Sequence, residues 1–123
     1  MNRRKRVLIV EDDGMIAQLC RQLLERTGDF LVGTEEAGLR AVATARHFQP
    51  DVILLDLHLP DRDGRDIACD LGADEALSGV PIGFITGAAE EVGGDAPVMS
   101  KPFCGRQLVD FARRMAAMGR PAR

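Results

Sequence analysis

Apolar positions along the chain keep two rhythms that take turns, a short continuous run and then a stripe at helical spacing. Val7 to Val10 is a β-branched run that stops at Glu11, Asp12 and Asp13, the pattern of a buried parallel strand ending at a polar rim. Ile16, Leu19, Cys20, Leu23 and Leu24 then repeat at helical spacing, and Gly28 follows where a helix end takes a left-handed residue. Phe30 to Gly33 reads as a weaker strand. Ala41, Val42, Ala45 and Phe48 mark a second amphipathic helix, stopped by Pro50. The most hydrophobic run, Val52 to Leu55, ends at Asp56 and is the predicted central strand. A turn over Pro60-Asp61-Arg62-Asp63-Gly64 leads to a third helix with Ile67, Ala68 and Leu71 as its inner stripe, and Pro81 to Thr86 is the fourth strand. Gly87, Gly93, Gly94 and Pro97 leave room for only a short or irregular fourth helix before a fifth strand at Val98 to Ser100. Leu108, Val109, Phe111, Ala112 and Met115 give a terminal helix ending near Gly119 and Pro121.

Five strands alternating with five helices predict a doubly wound α/β fold with a five-stranded parallel sheet, because parallel strands need crossovers and crossovers are right-handed. The 123 residues are expected to form one domain, ordered over about residues 5–118. Ligands of such sheets sit beyond the carboxyl ends of the strands, where the acids have just been placed.

The formal net charge of −3 offers no basic excess for nucleic acid, and the basic clusters Arg3 to Arg6 and Arg113 to Arg123 read as solvated termini. Cys20, Cys69 and Cys104 are an odd count without C-x-x-C spacing, which argues against a disulfide framework or a zinc site and for a reducing cytoplasm. The charged start Asn2 to Arg6 is followed by only four apolar residues, and no apolar run approaches the roughly 20 residues that span a bilayer. No signal peptide, anchor or membrane association is expected.

Glu11, Asp12 and Asp56 all follow apolar runs, so the fold gathers three carboxylates at one sheet edge, where their repulsion calls for a cation. Mg2+ prefers such hard oxygen ligands and takes one or two carboxylates together with waters and phosphate oxygens. Lys101, after Val98 and Met99, brings an ammonium to the same rim, and Thr86 brings a hydroxyl. Taken singly these are solvated strand ends, a surface lysine and a β-favouring residue. Together they supply a carboxylate nucleophile, a divalent cation, an ammonium and a hydroxyl, the parts needed to accept a phosphoryl group.

The spaced motifs Val7-Leu8-Ile9-Val10-Glu11-Asp12-Asp13, Asp51 to Pro60, Gly64, Phe84-Ile85-Thr86-Gly87 and Lys101-Pro102-Phe103 resemble the response-regulator receiver family over nearly the whole chain. The resemblance implies the flavodoxin-like strand order 2-1-3-4-5. It implies Asp56 as phosphoacceptor, Mg2+ held by Glu11, Asp12, Asp56 and the backbone carbonyl of His58, and Thr86 and Lys101 on the phosphoryl oxygens. Gly87 and Ala88 would line or tune the phosphoryl site, and Lys101-Pro102 would be a cis peptide. Thr86 and Val98 occupy the switch positions, but Val98 stands where the family commonly has an aromatic side chain, so the usual Thr/aromatic switch is not expected to operate. Phe84-Ile85-Thr86-Gly87 beside a short fourth helix is similar to a single-domain subfamily named for Phe-Ala-Thr-Gly-x-Tyr, from which Ile85 and Ala89 depart.

The expected function is that of a stand-alone cytoplasmic receiver, a signalling phosphoacceptor that takes part in its own phosphorylation and dephosphorylation and is not otherwise an enzyme. A histidine kinase or histidine phosphotransfer protein would donate to Asp56, docking on the first helix. A separate output protein would read the face from the fourth strand to the terminal helix. Dimerisation is compatible with this reading but not predicted. A haloacid-dehalogenase-like phosphohydrolase fits less well, since His58 stands where that family has a second Asp and the chain is short for a cap insertion. A flavodoxin-like FMN binder would need free amides and hydroxyls in the first loop, which here is acidic. A receiver-like adaptor that works without phosphate is the remaining alternative.

Overall fold

Alternation along the first strand sets the architecture: Val7 and Ile9 face one way and Leu8 and Val10 the other, into two separate apolar clusters. The structure is a computed structural model that describes residues 3–119. Asn2, Pro121 and the end of the C-terminal basic cluster lie outside the described residues. Five parallel strands, β1 (Lys5–Val10), β2 (Phe30–Glu35), β3 (Val52–Asp56), β4 (Ile82–Thr86) and β5 (Val98–Ser100), lie in the order β2-β1-β3-β4-β5. This is the flavodoxin-like α/β arrangement expected above. Helices α1 (Gly14–Glu25) and α4 (Gly105–Met118) cover one face, contributing Cys20, Leu24, Leu108, Phe111 and Met115 to its core. Helices α2 (Ala41–Phe48) and α3 (Gly64–Ala73) cover the other with Ala41, Ala45, Ile67 and Leu71. β3 is buried at every position, as a central parallel strand must be.

Several element ends differ from expectation for physical reasons. β1 begins at Lys5 and β2 continues to Glu35 because each pairs with the other along its full length, from Lys5 opposite Phe30 to Val10 opposite Glu35, and backbone pairing carries no hydrophobic signature. α2 stops at Phe48 because Gln49 takes the left-handed conformation at φ 56°, one residue before Pro50. Leu19, expected on the inner stripe of α1, is 49% exposed beside Met15 at 85%, and the buried stripe runs through Ala17, Cys20 and Leu24. The expected fourth helix is reduced to one 3-10 turn, Ala89–Glu91, in agreement with a short or irregular crossover, and the terminal helix is α4.

Strand register brings the functional edge together. Val10 pairs with Leu55, Asp56 with Ile85 and Thr86 with Ser100, so the residues just past these positions share one rim. Gly83 on β4 leaves space for the Phe111 ring, which comes within 2.8 Å of where a Cβ would stand. Among the described residues no helix is long and apolar enough to cross a membrane. The three cysteines are unpaired, and burial pushes the Cys20 thiol up to about 11.

Candidate functional site

Glu11 leaves β1 in register with the end of β2, its amide donating to the Glu35 carbonyl at 3.0 Å. Asp56 closes β3. Both are buried, Glu11 at 4% and Asp56 at 8% exposure, whereas Asp12 is exposed. One carboxylate oxygen from each of Glu11, Asp12 and Asp56 lies within 4.8 Å of the others. Asp13, the third acid of the run, does different work: it caps α1, its Oδ1 accepting from the amides of Met15 at 3.0 Å and Ile16 at 3.3 Å.

Lys101 enters from the end of β5 through a cis Lys101–Pro102 bond, its own amide donating to the Thr86 carbonyl at 2.8 Å. Its Nζ donates to Glu11 Oε1 at 2.5 Å and to Asp56 Oδ2 at 3.2 Å. Burial works against the ammonium, but the Glu11 carboxylate first and Asp56 second outweigh it and hold Lys101 above its ordinary range. For Glu11 the balance tips the other way. Burial raises its pKa, Asp56 adds repulsion, and the bonds from Lys101 and the Asp13 amide offset only part.

Three carboxylates facing one ammonium leave an excess of two negative charges. Hard oxygen donors at this separation and a charge deficit of two suit a small divalent cation such as Mg2+. The donor set therefore fits the Mg2+ that the resemblance implies.

Thr86 is fully buried, and its Oγ1 accepts from the Ala88 amide at 3.1 Å, with exposed Gly87 between them. The His58 amide donates to Asp56 Oδ1 at 3.1 Å, and its ring points away to Glu91, Nε2 lying 2.8 Å from Oε2. Val98 packs half-buried against the α2/α3-side core. Val98 thus places an aliphatic side chain, and no aromatic ring, at this position.

The structure thus brings Glu11, Asp12, Asp56 and Lys101 together at the sheet edge, with Thr86 at the end of β4 and Gly87, Ala88 and His58 on the flanking turns. Several supporting residues escaped sequence reasoning. Glu35 accepts from the Thr44 hydroxyl at 2.5 Å, the Ala37 amide at 2.9 Å and Arg40 Nε at 3.3 Å, and so fixes the turn beside Glu11. Asp61 ties the β3–α3 turn to the turn before α2, accepting from the amides of Gly38 at 3.0 Å and Leu39 at 2.9 Å. Glu35 stands two residues past the run Phe30 to Gly33, and that was its one available signal.

Comparison with known proteins points the same way. The family model of the response regulator receiver domain matches residues 7–110. The DNA-binding response regulator MtrA of Mycolicibacterium paratuberculosis is 36% identical over 118 residues, which cover 89% of this chain and 50% of that protein. The chain spans about half the length of the MtrA relatives it matches. The polar-differentiation response regulator DivK of Brucella ovis is 36% identical over 105 residues, covering 80% of this chain and 85% of DivK. Among solved structures, the receiver domain of a sensor histidine kinase from Pseudomonas aeruginosa, with magnesium coordinated in its active-site cleft, superimposes with a TM-score of 0.81 at 27% identity, covering 94% of this chain and 99% of that one.

Proposed function

Because the chain belongs to the response regulator receiver family, we propose that Asp56 accepts a phosphoryl group from a phosphohistidine on a histidine kinase or histidine phosphotransfer protein. An Asp56 carboxylate oxygen attacks phosphorus, the phosphorus–nitrogen bond breaks with its electron pair staying on nitrogen, and the donor ring, protonated at its other nitrogen, leaves as neutral imidazole. The observation that carries this reading is Lys101 Nζ held between Glu11 and Asp56, an ammonium already beside the oxygen that reacts. Glu11, Asp12, Asp56 and the His58 carbonyl would hold Mg2+, which when bound neutralises charge on the phosphoryl oxygens. Lys101 then turns from Glu11 toward a phosphoryl oxygen, Thr86 donates its hydroxyl to another, and Gly87 and Ala88 line the approach.

The exposed pair Met15 and Leu19 on α1, one helical turn apart and next to the acidic pocket, suits an apolar patch on the donor protein. A stand-alone receiver in the cytoplasm, whose output passes to a separate partner, is the reading adopted, and the match covering 85% of DivK supports its single-receiver part. DNA binding belongs to the name of the MtrA relatives, of which the chain covers half, and is not carried over.

The test is incubation with Mg2+ and acetyl phosphate, followed by intact mass, with Asp56→Ala in parallel. A single phosphoryl adduct, acid-stable and base-labile, is expected on the unaltered protein and absent from Asp56→Ala or when Mg2+ is chelated. If neither acetyl phosphate nor beryllofluoride alters the protein, Asp56 is inert and the phosphate-independent adaptor takes its place.

A further inference from the structure

The segment from Gly87 to Pro97 contains no buried residue, although it begins directly after Thr86 at the rim of the acidic pocket. Val92, half-buried against the α2/α3-side core, is its apolar hold. Its polar holds come from the turn that follows Asp56. His58 Nε2 lies 2.8 Å from Glu91 Oε2, and Arg65 Nη1 donates to the Glu91 carbonyl at 3.4 Å. Arg65 is itself steadied by Asp63, whose carboxylate accepts from Nη2 at 2.9 Å and Nε at 3.2 Å, and Asp63 forms a backbone bridge with His58. The His58 amide in turn donates to Asp56 Oδ1. An unbroken line of contacts therefore runs from the Asp56 carboxylate through His58 to Glu91, while the other end of the same segment is joined to Thr86 through the Ala88 amide.

We propose that Glu91 is a positioning residue for phosphoryl chemistry at Asp56: with His58 and Arg65 it clasps the Ala89–Glu91 turn against the β3–α3 turn and sets how readily small phosphodonors and water reach the carboxylate. The role rests on the phosphoacceptor reading above and adds to it a residue that the acidic motifs do not contain. Glu91 and its partners are solvent-exposed, and exposed side-chain contacts of this kind are individually weak, so the clasp opens and closes readily instead of sealing the pocket. An α-helix in this position would be held by a buried stripe. Here a few half-buried residues, Ala88, Ala89, Val92 and Pro97, and the clasp do that work, so loss of the Glu91 carboxylate is felt.

The experiment compares the unaltered protein with Glu91→Gln, Glu91→Ala and Arg65→Ala, using Glu90→Gln as the exposed neighbouring control. Two rates are read by intact mass, adduct formation from acetyl phosphate in Mg2+ and adduct loss after the donor is removed. Mg2+ affinity is read by calorimetry and the urea midpoint by circular dichroism. Both rates are expected to rise about two- to five-fold in the Glu91 variants and in Arg65→Ala, in keeping with the worth of an exposed pair. Mg2+ affinity and the Glu90→Gln rates should stay unchanged, as should the urea midpoint of the Glu91 variants; Arg65→Ala, which also removes the Asp63 pair, is read on rates and Mg2+ affinity alone. Adduct formation with rates unaltered or slowed in Glu91→Ala overturns the clasp alone, as does a rate change that tracks Mg2+ affinity. Absence of any adduct on the unaltered protein overturns the phosphoacceptor reading, and the clasp's role with it.

Discussion

At Gly64 a lone hydrogen keeps the pocket in shape. A Cβ there would stand 2.5 Å from the Asp56 carbonyl oxygen, 2.7 Å from the Leu57 Cα and 2.8 Å from the Leu57 carbonyl oxygen, all backbone atoms that no rotamer change can move aside. The Gly64 amide uses this close approach to donate to the Leu57 carbonyl at 2.8 Å. Gly64→Ala should therefore cost about 1–3 kcal/mol, the usual range for overpacking, read as a lower urea midpoint. Phosphoryl uptake at Asp56 should fall with it, because relief of the clash shifts the Asp56 backbone. The residues legible in the sequence were those at which an apolar run ends: Glu11, Asp12, Asp56, Thr86 and Lys101. Glu35, Asp61 and Glu91 were not, since their polar partners, in turns and on the outer faces of α2 and α3, carry no hydrophobic periodicity and are joined to them only by the folded chain.

Among the elements, α1 combines a cap, a buried stripe and an exposed stripe. Asp13 accepts from two amides at its start, and removing such a cap costs about 1 kcal/mol. Asp13→Ala should lower the folding stability by about that much, read as a lower urea midpoint, and leave Mg2+ affinity nearly unchanged, whereas Asp12→Ala should weaken Mg2+ binding with little effect on the midpoint. An equal loss of Mg2+ affinity in both would show Asp13 to be a ligand and not a cap. Periodicity identified all four α-helices because each has a face to bury. It misassigned Leu19 because an apolar position one turn from the buried stripe looks the same whether it meets the core or another protein. The irregular fourth crossover was legible for the opposite reason: Gly87, Gly93, Gly94 and Pro97 deny a helix its backbone whatever the side chains prefer.

Over the whole molecule, acid stability follows from carboxylates that the fold holds in the charged form. Glu35 is pushed up by burial, but the Thr44 hydroxyl, the Ala37 amide and Arg40 outweigh that and bring it below its ordinary 4.5. Asp63 is lowered from 3.8 to about 2, chiefly by the Arg65 side chain and amide. A folded-state pKa below the unfolded one gives stability that is complete above the unfolded value and lost as pH falls through the folded one. The urea midpoint should therefore hold down to the ordinary carboxylate range, then decline below pH 4.5 and on toward about 2. Glu35→Gln should flatten the upper part of that decline. A midpoint that begins to fall well above pH 5 would assign acid sensitivity to other groups.

The near-contact at Gly64 also decides where the molecule can give. It welds the carbonyl of Asp56 to the start of α3, and Asp61 fastens the same turn to the approach of α2, so this side of the pocket is a fixed jaw. The stretch from Gly87 to Pro97, with nothing buried, is the movable one. A vice with a single moving jaw transmits force in one direction only. Whatever charge arrives at Asp56, the resulting displacement should leave the domain along β4 and β5 and not through α2 and α3.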